Sequence, residues 1–284
     1  MTKDTTVSTT AHLLPDGEKD PRLGGNAGMS SDYLEVRGLS VDFGGFKAVR
    51  DVDLTLFQGD LRFLIGPNGA GKTTIIDAIT GLVPSTGSIQ KSGVELVGKK
   101  VHQIARLGVG RTFQTASVFE QLTVLQNLQL LMTAPRGLRA WNVLERGEVH
   151  AALARLEQVG LRDLAQADAK DLPYGAKKRL ELAIALAGLP AQGPRLLLLD
   201  EPAAGLAGPE RAELMARVTA LAREGVAVLY TEHNMDAVFG VADRVLVLID
   251  GLLAASGTPQ EVALDATVRS RYLGRGFQAG DVHV

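Results

Sequence analysis

A short run rich in glycine places the strongest constraint on how this chain folds. Residues 66–73 read Gly-Pro-Asn-Gly-Ala-Gly-Lys-Thr and match the pattern G-x-x-x-x-G-K-[ST] in full. The apolar segment Leu61–Ile65 precedes the run, and a helix is expected to begin near Lys72. A strand that leads through such a loop into a helix is the context in which backbone N–H groups surround phosphates. The sequence therefore predicts an α/β fold built around a phosphate-binding loop.

Each residue type in this loop has a physical role. Glycines let the backbone turn tightly and direct its N–H groups at phosphate oxygens. The Lys72 ammonium is expected to reach the β- and γ-phosphates of a nucleotide, and the Thr73 hydroxyl is expected to bind Mg²⁺. The predicted phosphate-contacting residues are Gly66, Pro67, Asn68, Gly69, Ala70, Gly71, Lys72, Thr73 and Thr74.

Polar residues follow two further apolar strands. Leu196–Leu199 is followed directly by Asp200 and Glu201. Because a buried charge needs a partner, a Mg²⁺ ion near the phosphate-binding loop is the expected partner of this pair. Asp200 is predicted to bind the metal through a water molecule, and Glu201 to orient and deprotonate the attacking water. His233 lies beyond strand Val226–Tyr230 and is a candidate contact for the γ-phosphate or that water.

The strand patterns predict two kinds of sheet. Apolar and polar residues alternate in residues 34–43 and 52–56, which indicates an N-terminal antiparallel β subdomain. Gln58-Gly59-Asp60 is a turn signal between this subdomain and the next strand. Strand 196–199, helix 210–223 and strand 226–230 form a β-α-β unit, which is typical of a parallel sheet covered on both faces.

Helical patterns interrupt the predicted α/β core. Apolar residues recur at helical spacing in residues 118–132 and 149–159, with a Pro-Arg-Gly break between them. They predict an inserted helical subdomain, whereas the first residues lack any apolar period and are expected to be disordered. The predicted bounds are residues 1–30 for an N-terminal tail, 31–276 for one domain, 112–182 for its helical subdomain and 277–284 for a C-terminal tail.

Composition narrows the class of function. The 284 residues carry a net charge of -2, so nothing indicates a polyanionic partner, and no nucleic-acid partner is expected. The absence of cysteine excludes disulfides and cysteine-ligated metals and fits a reducing compartment. No apolar run approaches the roughly 18–20 residues that a membrane-spanning helix needs. Work at a membrane is therefore expected to require docking on a membrane partner.

Taken together, these motifs resemble the ABC ATPase family over about residues 33–274. The glycine-rich loop is similar to the family's Walker A motif, and Leu196–Glu201 is similar to Walker B. The resemblance implies ATP and Mg²⁺ as cofactors. It also implies that Gln114 senses Mg²⁺ and joins the helical subdomain, that His233 is the switch histidine, and that Phe43 stacks on adenine.

The resemblance is weaker at two loops that contact a second ATPase subunit in the family. The family signature is Leu-Ser-Gly-Gly-Gln, whereas this chain has Leu172-Pro173-Tyr174-Gly175-Ala176. Pro173 lacks the hydroxyl and the N–H of serine, so the Gly175 N–H and the helix N-terminus remain as donors to a γ-phosphate bound by the partner. The D-loop of the family ends in aspartate, and here it ends in Ala207. We therefore expect a heterodimer with a second ATPase.

Smaller resemblances concern transport. The Pro-Tyr-Gly sequence resembles an ATPase of branched-chain amino acid importers, while residues 62–65, 76–81 and 272–275 look closer to urea-importer ATPases, which are slightly favoured. The implied complex has two permease subunits, a second ATPase and, indirectly, an external substrate-binding protein. The implied location is the cytoplasmic face of the inner membrane, as a peripheral subunit.

Other functions remain open at this point. The alternatives are the motor of an ABC exporter and a non-transport ABC ATPase, while a guanine-specific GTPase is disfavoured because Asn-Lys-x-Asp does not occur. Val118, Phe119 and Leu122 follow Gln114 and are expected to receive a helix of the membrane subunit. Packing inside the helical subdomain is the alternative interpretation of these three side chains.

Overall fold

The computed structural model describes residues 32–112, 118–133, 148–190, 193–233, 238 and 240–273. Gln114 and the two predicted tails lie outside these residues. The elements, in chain order, are β1 (Asp32–Phe43), β2 (Phe46–Phe57), β3 (Leu61–Ile65), α1 (Lys72–Ile79), β4 (Thr86–Lys91), β5 (Val94–Glu95), α2 (Val101–Arg106), β6 (Val109–Arg111), α3 (Val124–Thr133), α4 (Val149–Gln158), α5 (Tyr174–Ala187), β7 (Leu196–Asp200), α6 (Gly208–Arg223), β8 (Ala227–Thr231), β9 (Arg244–Ile249), β10 (Leu252–Gly257), α7 (Pro259–Leu264), α8 (Ala266–Val268) and a closing π-helical turn (Arg269–Leu273).

An antiparallel sheet forms the N-terminal layer, as the alternating pattern predicts. Its strand order is β2-β1-β4-β5, and β1 pairs antiparallel with both β2 and β4. Along β2, Val52, Leu54 and Leu56 are buried while the intervening residues are more exposed, because successive side chains of a strand point to opposite faces. The predicted turn at residues 58–60 separates this layer from β3, and Gly59 there has a φ of 78°.

A six-stranded sheet forms the centre of the molecule. Its order is β10-β9-β3-β8-β7-β6, with parallel pairing between all neighbours except the edge strand β10, which runs antiparallel to β9. Every residue of β3, β7 and β8 is buried. Phe63 packs into a core shared with α3–α6, whereas Leu64 packs into a second core shared with β1, β2 and α1. The parallel sheet covered on both faces is thus confirmed.

Helices α3, α4 and α5 pack against one another beside this sheet. The prediction that helical structure begins at Val118 is wrong, because α3 begins at Val124. Thr123 stops the helix from extending backward: its N–H donates to Gln126 Oε1 at 2.9 Å, and its hydroxyl accepts the Gln126 N–H at 3.2 Å. Asn127 instead holds the preceding segment, with its Oδ1 accepting the Phe119 N–H at 2.8 Å.

The other predicted helices and strands need smaller corrections. The sequence after the signature-like segment predicts a helix over residues 177–187, but α5 begins at Tyr174, because Pro173 occupies the N-cap and its carbonyl accepts the Lys177 N–H at 2.9 Å. The helix continues to Ala187, so the predicted end of the helical subdomain, residue 182, lies inside it. The domain bounds given from the sequence stay a prediction. Helix α6 begins two residues before the predicted residue 210, and β8 lies one residue later than the predicted strand 226–230. Differences of one or two residues are common at the ends of helices and strands. None of the helices in the described ranges is long and apolar enough to cross a membrane.

A buried lysine joins the two layers. Lys91 ends β4 with 3% of its surface exposed, and its Nζ donates to the carbonyls of Leu107 at 2.8 Å and Pro194 at 3.0 Å. Burial lowers its pKa from 10.5 to about 8. Below about pH 8 the folded and unfolded states both carry the proton, so the cost of the buried charge is fully present. Between about pH 8 and 10.5 the folded state loses the proton first, and the cost disappears.

We predict that the free energy of unfolding of the wild type, measured relative to Lys91→Met, rises between about pH 8 and 10.5. Because one pKa unit corresponds to about 1.4 kcal/mol, the increase is about 1–3 kcal/mol. The measurement is urea unfolding at a series of pH values, with the exposed Lys100→Met as control. A difference between wild type and Lys91→Met that does not change with pH would contradict the buried-ammonium interpretation.

Candidate functional site

The glycine-rich loop lies between β3 and α1, and two of its glycines are required by close backbone contacts. Gly66 has a φ of 149°, and a Cβ there would lie 2.0 Å from the Leu248 carbonyl oxygen. Gly71 is the N-cap of α1 with a φ of 104°, and a Cβ there would lie 2.5 Å from the Ala48 carbonyl oxygen. The loop can therefore lie against β9 and β2 only with glycine at these positions.

A cleft of about 500 Å³ opens over the loop and the N-terminus of α1. Two aromatic side chains stand at its rim: Phe43, which the sequence predicts, and Phe46, which it does not. They are 49% and 64% exposed, so both rings are free to contact a flat ligand. The cleft is lined by Phe43, Phe46, Ala48, Asn68, Gly69, Ala70, Gly71, Lys72, Thr73, Thr74 and Glu201.

Lys72 is the cation of this cleft. Its Nζ donates to the carbonyl oxygens of Gly66 at 2.7 Å and Pro67 at 3.1 Å, so the side chain folds back along the loop. Burial lowers the pKa of the Lys72 ammonium, and the charges of Glu201 and its acidic neighbours act in the opposite direction. The arrangement offers a partly desolvated cation, together with the backbone N–H groups of a helix N-terminus, to an anionic group.

Asp200 brings the loop and the central sheet together. Only 1% of its side chain is exposed, and its Oδ1 accepts hydrogen bonds from the hydroxyls of Thr73 at 3.2 Å and Thr231 at 2.9 Å. Its backbone N–H donates to the Thr112 hydroxyl at 3.3 Å. Its Oδ2 is buried without a hydrogen bond to the described residues, and the Arg111 Nη2 lies 3.5 Å away.

The donor set at this point fits a small divalent cation. A hydroxyl and a carboxylate oxygen are the ligands that Mg²⁺ prefers, and this ion is usually held by one or two protein groups together with substrate phosphates. In the part of the chain that the structure describes, no cluster of three or more acidic or histidine side chains is arranged for a metal. Thr73 and Asp200 are therefore the candidate protein ligands for Mg²⁺ among the described residues. The predicted third contact, Gln114, lies outside those residues.

Glu201 and His233 lie next to each other at the same sheet edge. The Glu201 Oε2 is 3.8 Å from the His233 Nδ1, and 26% of the glutamate side chain is exposed. Glu201 adopts a left-handed backbone with a φ of 47°, which is unfavourable for a residue with a side chain. Its N–H donates to the Thr231 hydroxyl at 2.9 Å, so the last residue of β8, which supports Asp200, also fixes the backbone of Glu201.

Besides Phe46, sequence reasoning missed further residues at the site, among them Glu232 and Tyr272. Glu232 is 3% exposed, and its Oε1 accepts the His233 N–H at 2.9 Å and lies 3.5 Å from the imidazole Nδ1. Its position directly after an apolar strand, like that of Asp200, was a signal that could have revealed it. Tyr272 comes from the closing turn; burial raises its pKa, and the charges of Glu232 and Glu201 act in the same direction. No spacing in the sequence connects Tyr272 with this site.

The signature-like segment lies in a different cleft. Pro173 is the N-cap of α5, and a Cβ on Gly175 would lie 2.4 Å from the Glu210 Oε1, so α5 and α6 approach closely there. The Tyr174 hydroxyl donates to the Ala204 carbonyl at 3.1 Å, which ties this segment to the loop after β7. The structure brings the Walker-type residues together, but it does not place Gly175 in their cleft within one chain.

Comparisons with known proteins agree with this geometry. The family model described as "ABC transporter" matches residues 49–204. The chain is 39% identical to the high-affinity branched-chain amino acid transport ATP-binding protein BraF of Pseudomonas aeruginosa and 38% identical to LivG of Escherichia coli, which carries the same description; each alignment covers 87% of this chain and 99% of the relative. The lipopolysaccharide export system ATP-binding protein LptB of Acidithiobacillus ferridurans is 35% identical, with the same coverage.

The solved structures include the ADP conformation of MJ1267, an ATP-binding cassette of an ABC transporter. It superposes with a TM-score of 0.74 at 28% identity and covers 86% of this chain and 99% of its own. The P-loop ATPase fold predicted from the sequence is thereby confirmed. The chain belongs to the ABC transporter family, and it is an ATP-binding ATPase of that family.

Proposed function

We propose that this chain is the ATP-hydrolysing subunit of an importer of branched-chain amino acids, and that separate permease subunits form the channel. The observation that carries the proposal is the contact between the Thr73 hydroxyl and the Asp200 carboxylate, beside a loop that requires glycine and next to Glu201. The names of BraF and LivG, which are similar over nearly their whole length, support the substrate class. Two assignments compete with this one. The first is uptake of urea, and the second is export, as the name of LptB describes for that relative.

In this proposal the loop holds the phosphates of ATP. The backbone N–H groups of Gly69–Thr74 and the helix N-terminus would bind phosphate oxygens, and Lys72 would exchange its two carbonyl partners for the β- and γ-phosphates. Phe43 would stack on adenine, and the exposure of Phe46 makes it a second candidate for that contact. Thr73 and Asp200, with Gln114, would hold Mg²⁺, which when bound would neutralise charge on the phosphates.

Glu201 is the proposed general base. Its carboxylate lines the cleft, and the hydrogen bond from its N–H to the Thr231 hydroxyl sets its direction. His233 lies within 3.8 Å of that carboxylate and is proposed to contact the γ-phosphate or to orient the attacking water. Glu232 supports His233 from the buried side: its Oε1 accepts the backbone N–H of His233 and lies 3.5 Å from the imidazole Nδ1. A carboxylate that faces the cleft and an imidazole held beside it can together position and deprotonate a water molecule.

We predict that Glu201→Gln keeps ATP binding and loses most hydrolysis. Removal of a general base typically costs roughly 10²–10⁴-fold in rate. The transporter is assembled in proteoliposomes, and nucleotide affinity, steady-state ATPase and uptake of labelled leucine and urea are measured. The exposed Glu224→Gln serves as a matched control.

Leucine uptake that requires ATP and is lost in Glu201→Gln supports the proposal in full. Uptake of urea alone would instead support the urea assignment. If neither leucine nor urea is taken up, both importer assignments are wrong. Hydrolysis by Glu201→Gln within about threefold of the wild type would exclude Glu201 from the role of general base, because this loss is far smaller than a base contributes.

An apolar groove is the proposed docking site for the membrane subunit. It has a volume of about 500 Å³ and lies where β6 and α2 meet the helical subdomain. Phe119 lines it and is 47% exposed, so its ring is available to a partner, whereas Val118 also packs against the helical core. Leu122 is not among the groove-lining residues, which restricts the predicted contact to the first part of the segment. A helix of the permease with an apolar face fits such a groove.

We predict that Phe119→Ala uncouples transport, while the isolated chain still binds ATP with unchanged affinity. Truncation of an exposed anchor residue typically costs about 1–4 kcal/mol of docking free energy. The measurements are uptake per ATP hydrolysed in proteoliposomes and crosslinking to the permease. Leu264→Ala, at an exposed position of α7, is the control. Crosslinks that place the permease far from residues 118–122 would contradict the docking proposal.

The proposed ATPase partner is a second, different subunit. This chain offers a complete Walker side, but Pro173 caps α5 without a hydroxyl, and Ala207 caps α6 where the family has aspartate. A homodimer would pair each Walker side with this weak signature, whereas a heterodimer could supply an intact one in trans. We place the complex at the cytoplasmic face of the inner membrane, where an external substrate-binding protein would contact only the permeases.

We predict that the purified chain alone is mostly monomeric and hydrolyses ATP slowly, and that its partner ATPase raises the rate. A missing transition-state donor is worth about 2.7–4 kcal/mol, or roughly 10²–10³-fold. In the assembled pair, Pro173→Ser should improve the weaker site more than the stronger one, while Pro190→Ser, the same change beyond α5, should not. The measurements are light scattering and ATPase titration; a tight ATP-dependent homodimer with full turnover would contradict the heterodimer.

A further inference from the structure

Arg111 connects three elements around the Asp200 carboxylate. It ends β6, where it is paired with Leu198 of β7. Its Nη1 lies 2.5 Å from the Asp77 Oδ1 of α1 and 3.3 Å from the Thr80 hydroxyl, while its Nη2 lies 3.5 Å from the Asp200 Oδ2. Only 8% of its side chain is exposed. One guanidinium therefore spans α1, which carries Thr73, and β7, which carries Asp200.

The same side chain also forms part of the floor of the apolar groove. We call Thr80, Arg111 and Thr112 the groove floor, because these three polar residues line the groove and their side chains are buried. Each is linked to the metal-site aspartate: Thr80 through Arg111, Arg111 by its ion pair, and Thr112 by accepting the Asp200 N–H at 3.3 Å. A partner in the groove would thus lie one side chain away from the proposed Mg²⁺ site.

The charges around Arg111 indicate that it orients the Asp200 carboxylate rather than acting only as a positive charge beside it. Asp77 neutralises the Arg111 cation from the opposite side, so the pair adds little net charge next to the proposed metal. What the pair supplies is geometry, because the planar guanidinium is held by its bond to Asp77 and keeps its other edge 3.5 Å from the Asp200 Oδ2. Groups that orient a metal ligand in this way typically change metal affinity or activity by about 10–100-fold.

We propose that Arg111 is a positioning residue that holds Asp200 in place for Mg²⁺ and links this carboxylate to the groove floor. The inference rests on the proposed function, since it takes the groove as the permease docking site and Asp200 as a metal ligand. Displacement of Arg111 by a partner in the groove changes the direction of Asp200 and hence the affinity for the metal. Arg111 itself contacts neither ATP nor the attacking water in this role.

The first experiment measures metal affinity rather than turnover. Mn²⁺ binding to the isolated chain with a non-hydrolysable ATP analogue is followed by electron paramagnetic resonance in the wild type, Arg111→Met and Arg111→Lys. Arg111→Met should bind Mn²⁺ about 10–100-fold more weakly, and Arg111→Lys should fall between it and the wild type because lysine lacks the planar fork. Binding of fluorescent ATP in EDTA should stay within about twofold, since no metal takes part.

Arg62→Met is the matched control for these variants. Arg62 is a similarly buried arginine of the same sheet, paired with Asp60 at 2.8 Å, but it lies at the amino end of β3, away from the site. Its Mn²⁺ affinity should equal that of the wild type. If Arg111→Met unfolds, Arg111→Lys alone decides the matter, with its thermal unfolding midpoint confirming the fold. Unchanged Mn²⁺ affinity in a folded Arg111 variant overturns the proposal.

The second experiment tests the link to the groove. Because the chain contains no cysteine, a single cysteine can be labelled selectively. A bulky maleimide at Leu82→Cys, which lines the groove and is 46% exposed, should change Mn²⁺ affinity at least about threefold, a part of the roughly 10–100-fold change expected when Arg111 is removed. The same label at Leu252→Cys, equally exposed on the opposite edge strand β10, should not.

The outcomes separate this inference from the proposed function. An Mn²⁺ effect of the Leu82 label that persists in Arg111→Lys at full size would show that the link bypasses Arg111. An absence of any label effect in the wild type would also contradict the link. Failure of the wild type to bind fluorescent ATP in EDTA would contradict the nucleotide site itself, which is a failure of the proposed function and not of the role of Arg111.

Discussion

The arrangement of the site depends on how the buried carboxylate of Asp200 is compensated. A carboxylate removed from water is strongly destabilising unless hydrogen bonds and opposite charge replace its hydration. Here the compensating groups come from different elements: the Thr73 hydroxyl from α1, the Thr231 hydroxyl from β8 and the Arg111 guanidinium from β6. Each of these elements is therefore held at the end of β7 by the same charge.

A second constraint is the close approach of the glycine-rich loop to its neighbours. Gly66 and Gly71 allow backbone contacts with β9 and β2, and the Ala70 carbonyl accepts the Gly251 N–H at 3.0 Å. The antiparallel layer is thereby fixed relative to the loop, and the β1–β2 turn brings two exposed phenylalanines to the rim of the cleft. The hydrogen-bonded aspartate and the glycine contacts together give the cleft one apolar and one charged side, as a nucleotide has.

The sequence was sufficient for the features that are encoded locally. The phosphate-binding loop, the Asp200–Glu201 pair and the alternation in β2 each lie within a few consecutive residues, where spacing determines direction. The start of α3 could not be read in this way, because the side chains of Thr123 and Asn127 override an apolar pattern that begins at Val118.

The features that sequence reasoning missed depend on contacts between distant segments. Arg111 comes near Asp200 only when β6 pairs with β7 in the central sheet, and Tyr272 comes near Glu201 and Glu232 only when the closing turn packs against the core; no periodicity in the sequence records either contact. Edge strand β10 was missed because its residues are half-buried and lack a regular alternation. Gln114, the third proposed metal contact, lies outside the described residues.

The most direct measurement of the central claim, that Thr73 and Asp200 share the Mg²⁺ of bound ATP, is a crystal structure of the Glu201→Gln chain with MgATP. If this claim is right, the electron density shows Mg²⁺ bound to the Thr73 hydroxyl oxygen, with the Asp200 carboxylate contacting the ion directly or through a water molecule. A bound Mg²⁺ that contacts neither the Thr73 hydroxyl nor the Asp200 carboxylate, directly or through water, would contradict it.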